Sequence, residues 1–119
     1  MSYPFPQQDS SITSEFADDP DMGELIELFL EELPARLKAL SDAWAAGDLQ
    51  TIQRITHQLR GSSAGYGFST LGTAGGEIED LIRGSTPPLS SPTPALEALI
   101  RQFESIGARV MNGAKRKAA

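Results

Sequence analysis

Cysteine is absent from the 119 residues, which excludes disulfides, thiolate metal sites and cysteine nucleophiles together. Histidine is nearly absent: His57 stands alone, so a metal centre built on several histidines, or on the paired Glu-x-x-His units of di-metal bundles, is excluded as well. Basic residues are scarce, ten Lys+Arg against sixteen Asp+Glu for a net charge of −6. That balance argues against nucleic acid as a partner, and the small cluster Lys115-Arg116-Lys117 does not reverse it. Long apolar runs are missing too. Stretches such as Leu28-Phe29-Leu30 fall far below the ~20 residues of a membrane span, and the N-terminus MSYPFPQQDSS lacks the basic start and apolar stretch of a signal peptide. There is no glycine-rich loop of the kind that cradles nucleotide phosphates. The expectation is one small cytoplasmic domain with no membrane contact and no ATP site of its own, and with a core large enough to stand as a monomer.

What is present is helical periodicity. Residues 1–18 form a lead-in, broken by Pro4 and Pro6, in which Ile12 and Phe16 are spaced to dock as one helical turn. Asp18-Asp19-Pro20-Asp21 reads as a helix start, with acidic residues and proline in the first turn. Met22, Leu25, Ile26, Phe29, Leu33, Leu37, Leu40 and Trp44 then keep one phase to about Ala46, through Pro34, so a single kinked helix is expected. Gly47 ends it and Asp48 caps a second helix with Leu49, Ile52, Ile55 and Leu59 inward, closing at Gly65-Tyr66-Gly67. Ser69 is the expected cap of a third helix carrying Leu71, Ala74, Ile78, Leu81 and Ile82 and ending at Gly84. The uncharged, proline-rich stretch 84–94 is a linker. Ser91 or Thr93 caps a fourth helix with Leu96, Leu99, Ile100, Phe103, Ile106 and Val110 on one face. The tail 112–119 is expected to fray. With no strand-like alternation, the fold class is all-α, an antiparallel four-helix bundle over residues 19–111. Phe29, Trp44 and Phe103 belong to its core, Phe68 plugs its end, and Glu24, Glu27, Glu31 and Glu32 make a solvated face.

His57 does not follow the apolar stripe. At ~100° per residue from Ile55, Ile52 and Leu59 lie within about 60°, whereas His57 falls near 200°, opposite the core. Taken alone, an exposed histidine is inert. Its neighbours point elsewhere: Arg60 is one turn on, and Gly61 at i+4 is a glycine inside a helix, a choice that costs about 1 kcal/mol relative to alanine. Ser62, Ser63 and Ala64 keep the next turn small. A nucleophile on a face stripped of bulk, with a cation beside it, suits approach by a partner carrying a phosphoryl group.

His57-Gln58-Leu59-Arg60-Gly61-Ser62-Ser63, followed by Gly67 and Leu71, resembles the signature of histidine phosphotransfer (HPt) domains, H-x-L-K-G-S-S-x-x-x-G-x-x-x-L. The likeness extends over residues 20–84, and Gly65-Tyr66-Gly67-Phe68-Ser69 is similar to the histidine-bearing first domain of chemotaxis kinases. Arg60 departs from the family's lysine, keeping the charge but changing a point donor into a planar fork. The resemblance implies a phosphoacceptor, His57, supported by the charges of Arg60 and Arg83. It also implies that Glu79, 22 positions on, hydrogen-bonds the ring nitrogen that is not phosphorylated; the competing reading of Glu79 is an i,i+4 pair with Arg83. Gly61, Ser62, Ala64 and Gly67 would form the docking face, within a glycine-rich stretch 61–76 that is smooth throughout. No cofactor is implied, since the Mg²⁺ of the reaction sits on the partner. The implied partners are response-regulator receiver domains or a hybrid histidine kinase. The alternatives are a substrate domain phosphorylated directly by a separate kinase and an adaptor that binds receivers without accepting phosphate.

Overall fold

The computed structural model describes residues 11–87 and 89–118, with side chains placed through residue 114. Residues 1–10 of the lead-in and the side chains of Lys115-Arg116-Lys117 lie outside the described residues. Four helices follow one another: α1 (Gly23–Ala46), α2 (Leu49–Gly65), α3 (Ser69–Gly84) and α4 (Pro94–Ala118). Among the described residues there is no strand.

The core is the set of apolar stripes the periodicity marks. Ile26, Phe29, Leu33 and Leu40 of α1 are buried with Ile52, Ile55 and Leu59 of α2, Leu71, Ala74, Ile78 and Ile82 of α3, and Leu96, Ile100, Phe103, Ile106 and Val110 of α4. Trp44, Leu37, Leu81 and Leu99 pack partly buried against it. Phe68 is buried as the end plug, its ring stacked on Phe29 with centroids 5.3 Å apart. Leu25 is an exception: it is 44 % exposed, while its neighbour Ile26 takes the buried position of that turn. Helix α1 runs through Pro34 as one helix.

Three helix ends differ from their sequence expectation. Asp19 accepts a hydrogen bond from the Asp21 backbone N–H at 2.9 Å. This aspartate turn competes with helix and leaves Pro20 outside α1, which starts at Gly23 behind an N-cap, Met22, that makes no side-chain bond. Ser69 does not cap α3 either: Phe68 holds the N-cap position, and the Ser69 hydroxyl donates instead to Glu15 Oε1 at 2.6 Å. Helix α4 does not stop near residue 111 but continues to Ala118, and the lead-in binds it at the Arg109 carbonyl. By contrast Asp48 accepts from the Thr51 N–H at 3.1 Å, and Thr93 Oγ1 accepts from the Leu96 N–H at 3.1 Å, both as N-caps.

The described part of the lead-in straps the end of the bundle. Ile12 N–H donates to the Arg109 carbonyl at 2.9 Å and Glu15 N–H to the Gly67 carbonyl at 2.8 Å. Ser14, which is buried, donates to the Tyr66 carbonyl at 2.7 Å. Ile12 is the residue that docks; Phe16 is 40 % exposed. Gly67 lies beneath this strap, at φ +88°.

Helices α2 and α3 run antiparallel at close range. A Cβ on Gly72 would stand 3.0 Å from the Arg60 carbonyl oxygen, and one on Gly75 would stand 3.3 Å from that of Thr56. Gly72, Gly75 and Gly76 are buried in this seam, so the glycines of α3 serve helix contact rather than a smooth outer face.

Two glycines should respond oppositely to alanine. At Gly67 the backbone is left-handed and a Cβ would collide with Ser14 Oγ, so Gly67→Ala should lower stability by about 2 kcal/mol. At Gly61 a Cβ meets nothing within 4 Å, and helix propensity should make Gly61→Ala more stable by about 1 kcal/mol. Denaturant melts of the two variants check both signs.

Candidate functional site

His57 projects from the middle of α2 with its side chain 68 % exposed. Its Nδ1 is 2.7 Å from Oε2 of Glu79, across the seam on α3. Glu79 is itself only 1 % exposed, an unusual place for a carboxylate unless it is paired. Its partners come from both helices: Arg83 Nη1 donates to Oε2 at 3.1 Å, and Arg60 Nη1 donates to Oε1 at 3.3 Å. Arg60 also reaches Asp80 Oδ1 at 3.4 Å. The expected i,i+4 pair and the expected histidine contact are therefore made together, by the same oxygen.

Gly76 permits the arrangement. A Cβ there would come within 3.1 Å of Arg60 Nε and 3.3 Å of its Cδ, so the arginine stem lies across the bare backbone of α3 on its way to Glu79. Four residues on from Arg60, Ala64 is exposed and lines the cleft beyond it with Gly72, Thr73 and Asp80.

Burial alone would push the Glu79 carboxyl up, but the hydrogen bonds from His57, Arg83 and Arg60 outweigh it and hold the group below the ordinary glutamate range. Near neutral pH it is thus a carboxylate, which only accepts. Its neighbour Nδ1 must then carry the proton, and the neutral ring presents its lone pair at Nε2.

A family model for the Hpt domain matches residues 24–106, which includes every residue of this cluster. The chain belongs to the Hpt domain family. It is also 37 % identical over 62 residues to the phosphorelay protein LuxU of Vibrio vulnificus, in strains YJ016 and CMCP6 alike, covering 52 % of this chain and 53 % of the relative. The chain spans about half the length of the curated relatives it matches. No solved structure matches it.

Of the residues expected on this Hpt domain's docking face, Gly61 and Ala64 are exposed. Ser62 is half-buried, and its hydroxyl is covered. Gly67 does not belong to that face: it is buried under Ser14, Glu15 and Phe16, because a left-handed turn closing α2 was needed where the strap crosses. Sequence reasoning missed Asp80, the glycine seam and one wall of the cleft in front of His57. That cleft is lined by Gln50, Thr51, Gln53, Arg54, His57, Glu79 and Arg83. A helical wheel would have found part of it, since Gln50, Gln53 and Arg54 share the His57 side of α2. Among the described residues no group of histidine and carboxylate side chains could hold a metal ion, and no helix is long and apolar enough to cross a membrane.

The lowered Glu79 value fixes a sign. A carboxyl whose folded pKa is depressed contributes stability that is complete above its unfolded value, ~4.3, and lost as pH falls through the folded one. The melting-temperature advantage of the native chain over Glu79→Gln should therefore shrink from about pH 6 to about pH 3, as measured by circular dichroism; an advantage that grew on acidification would contradict the pairing.

Proposed function

We propose that this Hpt domain is a phosphoryl carrier in two-component signalling, accepting the group on His57 Nε2 and passing it to or from aspartates of receiver domains. The observation that carries this reading is the division of the ring: Nδ1 is tied at 2.7 Å to a buried carboxylate, while Nε2 belongs to the open side of an exposed side chain. The Nε2 lone pair forms the bond to phosphorus as the bond to the aspartyl oxygen breaks, and the aspartate leaves as carboxylate. Positive charge that develops on the ring is shared through Nδ1–H with Glu79, the orienting residue. Arg60 and Arg83 keep that carboxylate ionised and lend positive field to the moving group. The Mg²⁺ of such a transfer would belong to the receiver.

Gly61 and Ala64, one and two turns on from His57 on the exposed side of α2, leave a flat approach for the receiver, with Ser62 at its edge. The chain would act without its own ATP-dependent kinase activity, as a cytoplasmic monomer, with a receiver or a hybrid histidine kinase as donor. Direct phosphorylation by a separate kinase is the second reading, favoured by the Gly-Tyr-Gly-Phe-Ser likeness at 65–69.

A radiolabel transfer assay separates these. The native chain and His57→Gln are mixed with phosphorylated receivers and, separately, with autophosphorylated kinases. Acid-labile, alkali-stable label should appear on the native chain alone and move on to a second receiver. Label retained by His57→Gln would sink the assignment, and label from a kinase but from no receiver would favour the second reading. Gly61→Phe should slow transfer from a receiver at least tenfold, by blocking approach, without unfolding the helix.

A further inference from the structure

The two arginines nearest Glu79 are already committed. Arg83 is bound to its Oε2, and Arg60 is shared between its Oε1 and Asp80, so two cations and two carboxylates balance on the Nδ1 side of the ring. A phosphoryl group on Nε2 would bring up to two further negative charges to the other side. Arg54 is placed to meet them. It precedes His57 by one turn, which puts it on the same face of α2, and it is exposed on the wall of the His57 cleft between Gln50, Gln53 and Arg83. Among the described residues it makes no hydrogen bond or ion pair; its field reaches Asp48, lowering that carboxyl after the larger effects of the Thr51 bonds. On its other side it borders a groove shared with Glu31, Glu32 and Arg36 of α1, where Glu32 is paired with Arg36 at 3.3 Å.

Resting on the phosphocarrier reading, we propose that Arg54, flanked by the amides of Gln50 and Gln53, is the subsite that holds the phosphoryl oxygens once the group is on His57. A guanidinium offers a fork of donors that matches two phosphoryl oxygens at once, and the glutamine amides add neutral donors from the same helix face. The balance of charge assigns different tasks to the arginines. Arg60 and Arg83 maintain the orienting carboxylate, and Arg54 meets the cargo.

The test loads the full-length chain with phosphoramidate, a small donor that needs no partner protein. The Nε2–P bond forms as the P–N bond of the donor breaks, and the amine leaves as ammonia. The phosphoryl resonance is then titrated by ³¹P NMR in the native chain, Arg54→Gln and Arg54→Lys. A cation beside the group favours its dianion, so the phosphoryl pKa should rise by about half a unit in Arg54→Gln and return most of the way in Arg54→Lys. The groups that also face the site, Glu79, Asp80, Arg60 and Arg83, are the same in all three proteins. Superimposable titrations of the native chain and Arg54→Gln would overturn the subsite and leave the carrier reading intact. Failure of phosphoramidate to load His57 of the native chain would overturn the carrier reading, and the subsite with it.

Discussion

Everything at this site depends on one buried carboxylate. Glu79 is almost wholly removed from water, and a carboxylate in that position is tolerable only when its oxygens are occupied. The chain occupies them with three donors drawn from two helices. Because His57 and Arg60 stand on α2 while Arg83 stands on α3, the geometry requires α2 and α3 to hold one register and one separation. Gly72 and Gly75 set that separation by letting backbone approach backbone, and Gly76 leaves room for the Arg60 stem. The histidine is thus oriented by a group whose own position is fixed by the packing of the bundle, and a shift of half a turn along the seam would break the two bonds that cross it, from His57 and Arg60, together.

Much of the fold was legible because each helix has a narrow apolar stripe and a marked end. Asp48, Thr93 and Gly47 act as the residue types suggest. Two of the ends that misled, at Ser69 and beyond residue 111, meet a segment distant in sequence, whereas Asp19 is turned aside locally by the Asp21 N–H. Ser69 gave its hydroxyl to Glu15, and Ile12 binds the Arg109 carbonyl of α4. No local pattern encodes those meetings. The strap also explains why Gly67, which looks from its position in the motif like part of an open face, lies inside.

The site was legible to a similar depth. Helical phase alone put His57 opposite the core, and the resemblance pointed to Glu79 by its spacing. Neither could show that Glu79 is buried, because its helix reads as amphipathic with a glutamate beside the apolar stripe, and solvent is the usual place for such a residue. Burial changes the chemistry. An exposed glutamate would compete with water for Nδ1, whereas a covered one, kept ionised by Arg60 and Arg83, holds the ring in one tautomer.

That same burial bounds how strongly the ring is held. Two arginines share the same carboxylate with His57, so its charge is divided among three partners and the ring is oriented through Nδ1 alone. In the proposed transfer, the positive charge that would appear on the ring after attack by Nε2 meets a carboxylate already in place, with no side chain needing to move. The reverse of the proposed transfer would benefit equally, since the leaving nitrogen would regain its lone pair in the tautomer from which it started. A carrier must give up its cargo as readily as it takes it. A buried carboxylate shared among one histidine and two arginines is a way to stabilise the transition state in both directions without trapping either end.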